Sequence, residues 1–403
     1  MEPEPSESNP RSALPRTLVI LLALAGATIA AFGLGAIKGI VTPVFLAFVL
    51  TLCVHPLRRW MQARGISRGI ATGTTIAAVF GLLTAFAAVL FASLAQFSAL
   101  LPQYAPEMAE LGARISTMLE TLGFGPEQAQ EVLNGFTPGR LIGFLGGLLG
   151  NVASLVASLV IILTMLILMA LDGSRVPALL IHLNYHRPAL VTALNGFGTA
   201  VRRYMVATTV LGIAQGLFNW LVLVILQVPG ALLWGLLSFI CSFIPNIGYF
   251  IAIIPPLFFG FLTGGWPTVI AIIIIYGGIN SIIQSIIQPR YIGNAVSLSE
   301  SLTFVSVLFW AVILGPVGAI LAVPLTLLFR TILIDSDPSL SWWRPLTGDQ
   351  TDLKQLIKDE DDAIRARRGR PKPGGPVAAV RVRRARRGGP KAGRPDAGST
   401  PKA

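Results

Sequence analysis

Between Tyr204 and Phe329 the chain runs for 126 residues with only two formal charges, Arg290 and Glu300. A soluble domain has a charged residue at about every fourth position, because its surface must be hydrated. This stretch therefore predicts a segment embedded in a lipid bilayer. An ionisable group at membrane depth is costly and usually faces a cavity, so we expect function near the two charges.

The composition of the whole chain supports the same class. Of 403 residues, 53% are hydrophobic and only 12% are charged, which is typical of a polytopic membrane protein. The net charge of +12 resides in residues 363–403, which hold thirteen Lys or Arg residues and one acid, Asp396. We interpret this tail as disordered and solvated, with attraction to anionic lipid as the alternative. No aromatic residue interleaves its arginines, so nucleic-acid binding is not expected.

No catalytic, cofactor or metal pattern is present in the sequence. It has no phosphate-binding loop, and its two cysteines, Cys53 and Cys241, lie inside apolar runs. His182 and His186 are four residues apart, but a nearby carboxylate is missing. We therefore predict that the chain is not an enzyme and holds neither a metal nor a cofactor.

Eight apolar runs predict an all-α protein with about eight transmembrane helices, because about 20 helical residues cross the hydrocarbon core. Arginines cluster after the second run and in residues 172–203, whereas acids dominate residues 101–140. The positive-inside rule then places both termini on the cytoplasmic side of the membrane. The runs cover residues 17–37, 40–54, 69–100, 141–171, 204–228, 231–262, 266–288 and 301–331.

The predicted domain organisation follows these runs. Residues 1–16 form a cytoplasmic segment and residues 17–335 the transmembrane domain. Within that domain, 101–140 is expected to be an extracytoplasmic amphipathic insert and 172–203 a pair of cytoplasmic interfacial helices, with packing against neighbouring spans as the alternative. Residues 336–362 hold a short cytoplasmic helix, and residues 363–403 are the tail.

The 231–262 run is too long for one span and too short for two. Pro245 and Gly248 are expected to interrupt it, and Pro255 with Pro256 to interrupt it again. Either a broken span or a re-entrant hairpin fits. Non-helical backbone at membrane depth needs protein or water to satisfy its polar groups, so this segment, including Asn246, is expected to line a passage.

Polar residues recur at helical spacing in the later runs. Tyr276, Asn280, Gln284 and Gln288 follow one another every four residues, and Gln215 and Asn219 form a similar pair. Buried amides either bind a polar solute or join helices by hydrogen bonds. For the whole stripe we favour a solute pathway.

The two charges flank a break in the last third of the chain. Arg290 and Glu300 lie on either side of Gly293 and Asn294. The charges either pair with each other or take part in transport, and the sequence leaves both open. Glycines spaced four apart, such as Gly69 with Gly73, predict close helix contacts within or between protomers, and a homo-oligomer is expected.

Three stretches resemble the autoinducer-2 exporter family of bacterial membrane proteins. They are Phe243–Phe250 (FIPNIGYF) with the following prolines, Gln288–Gly293 (QPRYIG) and Leu314–Thr326 (LGPVGAILAVPLT). Family members carry a Pro-x-x-Gly break where Pro245 stands and a Pro-Arg-x-x-Gly break where Pro289 stands. The third stretch places further expected helix breaks at Gly315, Pro316, Gly318 and Pro324.

The resemblance implies transport of a small polar solute without ATP hydrolysis by the chain, as in the export of a quorum-sensing signal. Sodium/proton antiport is attributed to some members, and a cation/proton antiporter using Arg290 and Glu300 is the first alternative. A non-transporting scaffold is the second alternative. We expect alternating access, with segments 243–256 and 288–300 near the midplane around the polar stripe.

Overall fold

The computed structural model describes residues 15–121, 138–173, 175–292, 298–343, 347–348 and 357–364. Within these ranges the regular structure is helical and contains no strand, which confirms the predicted all-α class. Almost all of the N-terminal segment and of the basic tail, as well as Gly293 and Asn294, lie outside the described residues. Their predicted roles therefore stay predictions.

The described part of the chain up to Arg330 contains thirteen α-helices. They are α1 (Arg16–Ala36), α2 (Lys38–Ala63), α3 (Arg68–Leu100), α4 (Ala105–Thr121), α5 (Pro138–Asp172), α6 (Val176–His186), α7 (Pro188–Ile225), α8 (Ala231–Cys241), α9 (Gly248–Ser281), α10 (Gln288–Ile292), α11 (Glu300–Leu314), α12 (Pro316–Ile320) and α13 (Ala322–Arg330). A π-helical turn, Ile282–Ile287, joins α9 to α10, and another, Thr331–Asp335, follows α13.

Five stretches of the described helices are long and apolar enough to cross a membrane, and six if α5 and α6, which meet at 64°, are counted as one broken span. Two shorter apolar helices, α8 and α11, accompany them. The predicted number of eight crossings is not confirmed and stays a prediction. The five stretches are Thr17–Ala36, Lys38–Ala63, Arg68–Leu119, Pro188–Ile225 and Gly248–Ile287.

Helix α9 is a helical hairpin that turns at Gly265, where φ is 62° and ψ is −156°. A β-carbon on Gly260 would lie 2.6 Å from Ile272 Cδ1, although twelve residues of straight helix span about 18 Å. A β-carbon on Gly277 would likewise lie 3.4 Å from the Tyr249 hydroxyl. Residues 248–264 therefore form a first arm that packs antiparallel against a second arm, residues 266–281.

The turn has a local cause. The backbone angles of Gly265 are accessible to glycine because it lacks a β-carbon. Pro267 follows within the first turn of the second arm, where its missing N–H costs no helical hydrogen bond. The predicted separation of runs 231–262 and 266–288 thus corresponds to a real reversal of the chain.

The expected second break at Pro255 and Pro256 is wrong. Both prolines lie inside the first arm, which stays helical through them. A proline removes one hydrogen bond but does not end a membrane helix when its neighbours satisfy the freed backbone group. Pro289 also lies inside a helix, α10.

The third resembling stretch contains two breaks. Gly315, with φ of 78°, ends α11, and Pro316 begins α12. The next break falls at Leu321 and not at Pro324, which lies in the first turn of α13. Gly318 is buried inside α12, where a β-carbon would overlap the Trp310 carbonyl oxygen.

A second hairpin joins α8 to the first arm of α9. The Trp234 and Phe259 rings stack with centroids 5.8 Å apart, which brings the start of α8 beside the far end of the first arm. The turn between them consists of residues 242–247 and contains Pro245. Run 231–262 is therefore a hairpin with unequal arms, of 11 residues in α8 and about 17 in the first arm of α9.

Two buried clusters hold these elements together. One cluster joins the five helices α2, α7, α11, α12 and α13 through residues such as Phe197, Val201 and Trp310. The other joins α3, α8 and α9 around Phe97, whose ring lies 4.8 Å from those of Trp234 and Phe259. The start of α7 lies in the segment 172–203 that was predicted to be interfacial. One face of it, with Val191, Phe197 and Val201, is buried, which favours the alternative of packing against neighbouring helices.

Candidate transport pathway

The turn between α8 and α9 is tight and satisfies its own backbone. The amide of Ile244 donates to the Cys241 carbonyl at 2.9 Å, and the amide of Gly248 donates to the Ile244 carbonyl at 3.0 Å. Asn246 is exposed and has a positive φ of 65°, a conformation that asparagine tolerates better than most residues. Gly248 is buried. A β-carbon there would overlap the Cys241 carbonyl oxygen, so the position has no room for a larger residue.

Helix α7 presents a buried face to this turn and to α8. The Tyr204 hydroxyl donates to the Phe243 carbonyl at 3.4 Å. A β-carbon on Gly216 would lie 2.7 Å from the Gly235 carbonyl oxygen, and one on Gly212 would overlap the Ser242 side chain. The backbones of α7 and α8 are therefore in direct contact. The spacing of Gly212 and Gly216 is the signal that would have predicted it.

The second arm of α9 runs antiparallel to α7. The Gln215 side-chain amide donates to the Asn280 side-chain oxygen at 3.4 Å. Arg203 lies twelve residues earlier on α7, and its Nε donates to the carbonyl of Tyr291, eleven residues later, at 2.9 Å. In this register the predicted stripe of the second arm lies along α7, and Asn219 is level with Tyr276.

Polar groups are buried along this contact, which we call the polar seam: Gln215 and Asn219 on α7, Ser238 on α8, and Tyr276 and Asn280 on α9. Asn219 and Tyr276 are each 1% exposed. The Asn219 side-chain oxygen has no hydrogen-bond partner within the described residues, and the Tyr276 hydroxyl has only the Ser238 hydroxyl beside it. The Ser238 hydroxyl, which lies beside that of Tyr276, donates to the Trp234 carbonyl at 2.9 Å.

Such groups are costly to bury. A buried polar group that loses its water without gaining a partner costs about 1–3 kcal/mol. Native structures contain few of them, and each calls for an explanation. At the polar seam the donors and acceptors are of the kind that a polar solute would satisfy.

The remaining predicted residues lie outside the polar seam. Gln284 lies in the π-helical turn and Gln288 begins α10, and both are half-buried. Arg290 and Glu300 are exposed and form no ion pair with any residue the structure describes. Glu300 is in the first turn of α11, where the helix dipole favours an acidic side chain. Their suggested mutual pairing is therefore absent.

Arg330, at the end of α13, is a buried charge that lies one residue beyond the charge-poor run. Its Nε lies 3.5 Å from Oδ2 of Asp335, and its side chain is 8% exposed. Within the described residues, no group of three or more acids, histidines and cysteines is placed to hold a metal ion.

The comparisons with known proteins agree with this architecture. The family model described as AI-2E family transporter matches residues 18–336. The chain belongs to the AI-2E transporter family. The matched region contains all of α2 to α13, both hairpins and the polar seam.

Curated relatives of this AI-2E protein are bacterial transport proteins. The putative transport protein YhhT of Escherichia coli K12 is 29% identical over 313 residues, which cover 76% of this chain and 88% of the relative. The AI-2 transport protein TqsA of the same strain is 27% identical over 294 residues, covering 73% and 85%. A putative transport protein of Haemophilus influenzae is 27% identical over 344 residues, covering 83% and 97%.

The family membership makes this chain a membrane transporter with a small solute as its substrate. It does not favour the sodium/proton antiporter or the scaffold. The predicted class of function is therefore confirmed.

Proposed function

We propose that this AI-2E protein moves a small polar solute across the cytoplasmic membrane along the polar seam, without hydrolysing ATP. The observation that carries the proposal is the buried side-chain oxygen of Asn219, which has no hydrogen-bond partner within the described residues and is level with the buried hydroxyl of Tyr276. A passing solute would offer this oxygen the hydrogen bond that the described residues do not. The name of TqsA makes autoinducer-2 the first solute to test.

Alternating access requires elements that can move as units, and the polar seam is bounded by such elements. The turns at 242–247 and at Gly265 join helical arms, and the π-helical turn Ile282–Ile287 ends the second arm. Turns that join rigid arms act as hinges, and π-helical turns are frequent at functional sites. Rocking of the two hairpins against α7 would open the polar seam to one side of the membrane at a time.

The orientation and assembly of the protein are part of the proposal. Arg58 and Arg59 near the end of α2 line one cavity with Arg202 of α7, which supports placing the α2–α3 and α6–α7 connections on the same side. The positive-inside rule assigns that side to the cytoplasm. Helix α1 exposes an apolar surface, including Ile29 and Phe32, which suits contact with lipid or with a second protomer in a homo-oligomer.

Asn219→Leu separates a pathway from a structural role. Replacing a buried amide that lacks a partner by an apolar residue of similar size is near neutral or stabilising, so the variant should fold at least as stably as the wild type. Its transport of autoinducer-2 in proteoliposomes should fall by about tenfold or more, because the solute loses a hydrogen-bonding group. Flux and thermal unfolding are measured on the same preparation.

Asn184→Leu is the matched control, since Asn184 is an exposed residue of α6 away from the polar seam. Its flux should stay at the wild-type level. If Asn219→Leu transports as fast as Asn184→Leu, the polar seam is not the pathway. If it loses flux only in proportion to lost folded protein, the amide has a structural role.

A further inference from the structure

A cavity lies away from the polar seam, where α2, α3, α5 and α7 meet. It has a volume of about 680 Å³ and adjoins a cleft of about 1070 Å³ between α3 and α5. The two share lining residues at the ends of α2 and α5, so they form one connected space. The shared residues include His55, Arg58, Arg59, Ile76 and Gly173.

One end of this space is strongly basic. Arg58, Arg59 and Arg202 line the cavity around His55, and Arg68 lines the cleft. Within the described residues none of these arginines makes an ion pair or a side-chain hydrogen bond, and Arg58 Nε is buried without an acceptor. The charge of these side chains is thus not compensated by an ion pair with any residue that the structure describes.

The acid nearest to this cluster does not neutralise it. Asp172 lines the cavity, but its carboxylate lies 3.6 Å from Nη1 of Arg175, and both side chains are largely exposed. The Arg58 guanidinium lies against Gly173, where a β-carbon would be 3.5 Å from Nη1. The basic end is therefore shaped to receive an anion that comes from outside the chain.

The rest of the space is apolar and opens sideways. Apolar side chains of α3 and α5, among them Ile76 and Leu166, line the cavity. Ile167 and Leu171, which border the cleft, are 43% and 66% exposed on the outer surface of the helices. The cleft thus opens towards the region that lipid occupies.

Two glycines line the cleft, with open space beside them. Gly69 and Gly73 line it on α3, and a β-carbon on either would have no atom within 4 Å. Their spacing predicted a close helix contact, which the protomer does not make. The open space beside them forms a groove along α3 that begins next to Arg68.

We propose that this space binds one anionic phospholipid, with its phosphate at Arg58 and Arg59 and an acyl chain in the groove between α3 and α5. The combination of a basic end and a lateral apolar cleft matches an amphiphile and not a soluble anion. Basic pockets between transmembrane helices on the cytoplasmic side are suited to anionic headgroups. The residues that line this site include none of the polar seam and none of the basic tail.

Native mass spectrometry of the full-length protein in detergent tests the proposal. Phosphatidylglycerol should bind the wild type at least about tenfold more tightly than phosphatidylcholine with the same acyl chains, because only the former has a net negative charge. Arg58→Gln with Arg59→Gln should abolish that preference. Gly73→Trp should weaken binding of phosphatidylglycerol by filling the groove.

Arg64→Gln with Arg187→Gln is the matched control. It removes the same charge from the same end of the helices, and neither residue lines the space. This variant should keep the preference for phosphatidylglycerol. An equal loss in both double variants would overturn the site, since it would show attraction to surface charge alone. Displacement of the lipid by excess inorganic phosphate would identify a site for small anions and overturn the lipid assignment.

Photolabelling of the wild type keeps the proposal falsifiable if the variants do not fold. A phosphatidylglycerol with a diazirine in its acyl chain should label peptides of α3 and α5 in preference to those of α1, whose apolar surface is also exposed. Labelling that is equal in α1, α3 and α5 would contradict a specific lipid site.

Discussion

Replacement of Asp335 by alanine is expected to lower the free energy of unfolding by about 3–5 kcal/mol. Its carboxylate lies 3.5 Å from the Arg330 guanidinium, and the two side chains are 22% and 8% exposed. Removing the acid leaves a buried positive charge without this counter-ion, which is costlier than losing the attraction alone. Thermal unfolding of the purified protein in detergent, followed by tryptophan fluorescence, measures the effect.

Asp172→Ala is the control for this prediction. Asp172 pairs with Arg175 at 3.6 Å, nearly the same distance, but the side chains are 71% and 80% exposed. Solvent-exposed pairs contribute at most about 1 kcal/mol, so this variant should unfold close to the wild type. Equal destabilisation by the two substitutions would contradict the role of burial. Replacing Arg330 and Asp335 together by methionine and leucine should recover most of the lost stability.

The sequence predicted the class of fold well because hydrophobicity in a membrane protein is a local signal. Runs of apolar residues identify the long helices, and glycine with proline identifies most of the turns. The chain reversal at Gly265 falls between two predicted runs. The signal fails at Pro255 and Pro256, where the helix continues, since a proline only disfavours a helix and neighbouring groups decide the outcome.

The partners of the buried polar groups required the tertiary structure. Helical spacing placed Tyr276 and Asn280 on one face of a helix, and Gln215 and Asn219 on one face of another. It did not show that Gln215 meets Asn280, 65 residues away, because that contact depends on two intervening hairpins. Whether these residues carry solute is a matter for the flux experiment.

In the sequence, each charged residue could be considered only together with its neighbours in the chain. The charge-poor run ends at Phe329, so Arg330 was not among the predicted site residues, although the fold buries it. The arginines after the second run were used only to orient the protein. Their convergence with Arg202 around one cavity depends on the packing of α2 against α7, which no spacing in the sequence reports.

Replacement of Gly248 by alanine is the second change for which a large effect is expected. The added β-carbon would overlap the carbonyl oxygen of Cys241 and lie 2.8 Å from its carbonyl carbon. These are backbone atoms, so no side chain can rotate to make room, and the turn at 242–247 must shift. Overpacking of this kind costs about 1–3 kcal/mol or more. Thermal unfolding in detergent should show the loss.

Gly278→Ala makes the same substitution in the same helix, but it is expected to raise the stability of the protein and not to lower it. A β-carbon there would have no atom within 4 Å, and alanine favours a helix over glycine by about 0.5–1 kcal/mol. Opposite shifts in melting temperature would therefore show that the α8–α9 turn, and not glycine content, sets the requirement at Gly248. Shifts of the same sign would contradict the close contact at Cys241. Flux measured on folded Gly248→Ala then reports whether the geometry of this turn matters for transport. A hinge that is forced open should slow transport even in molecules that remain folded.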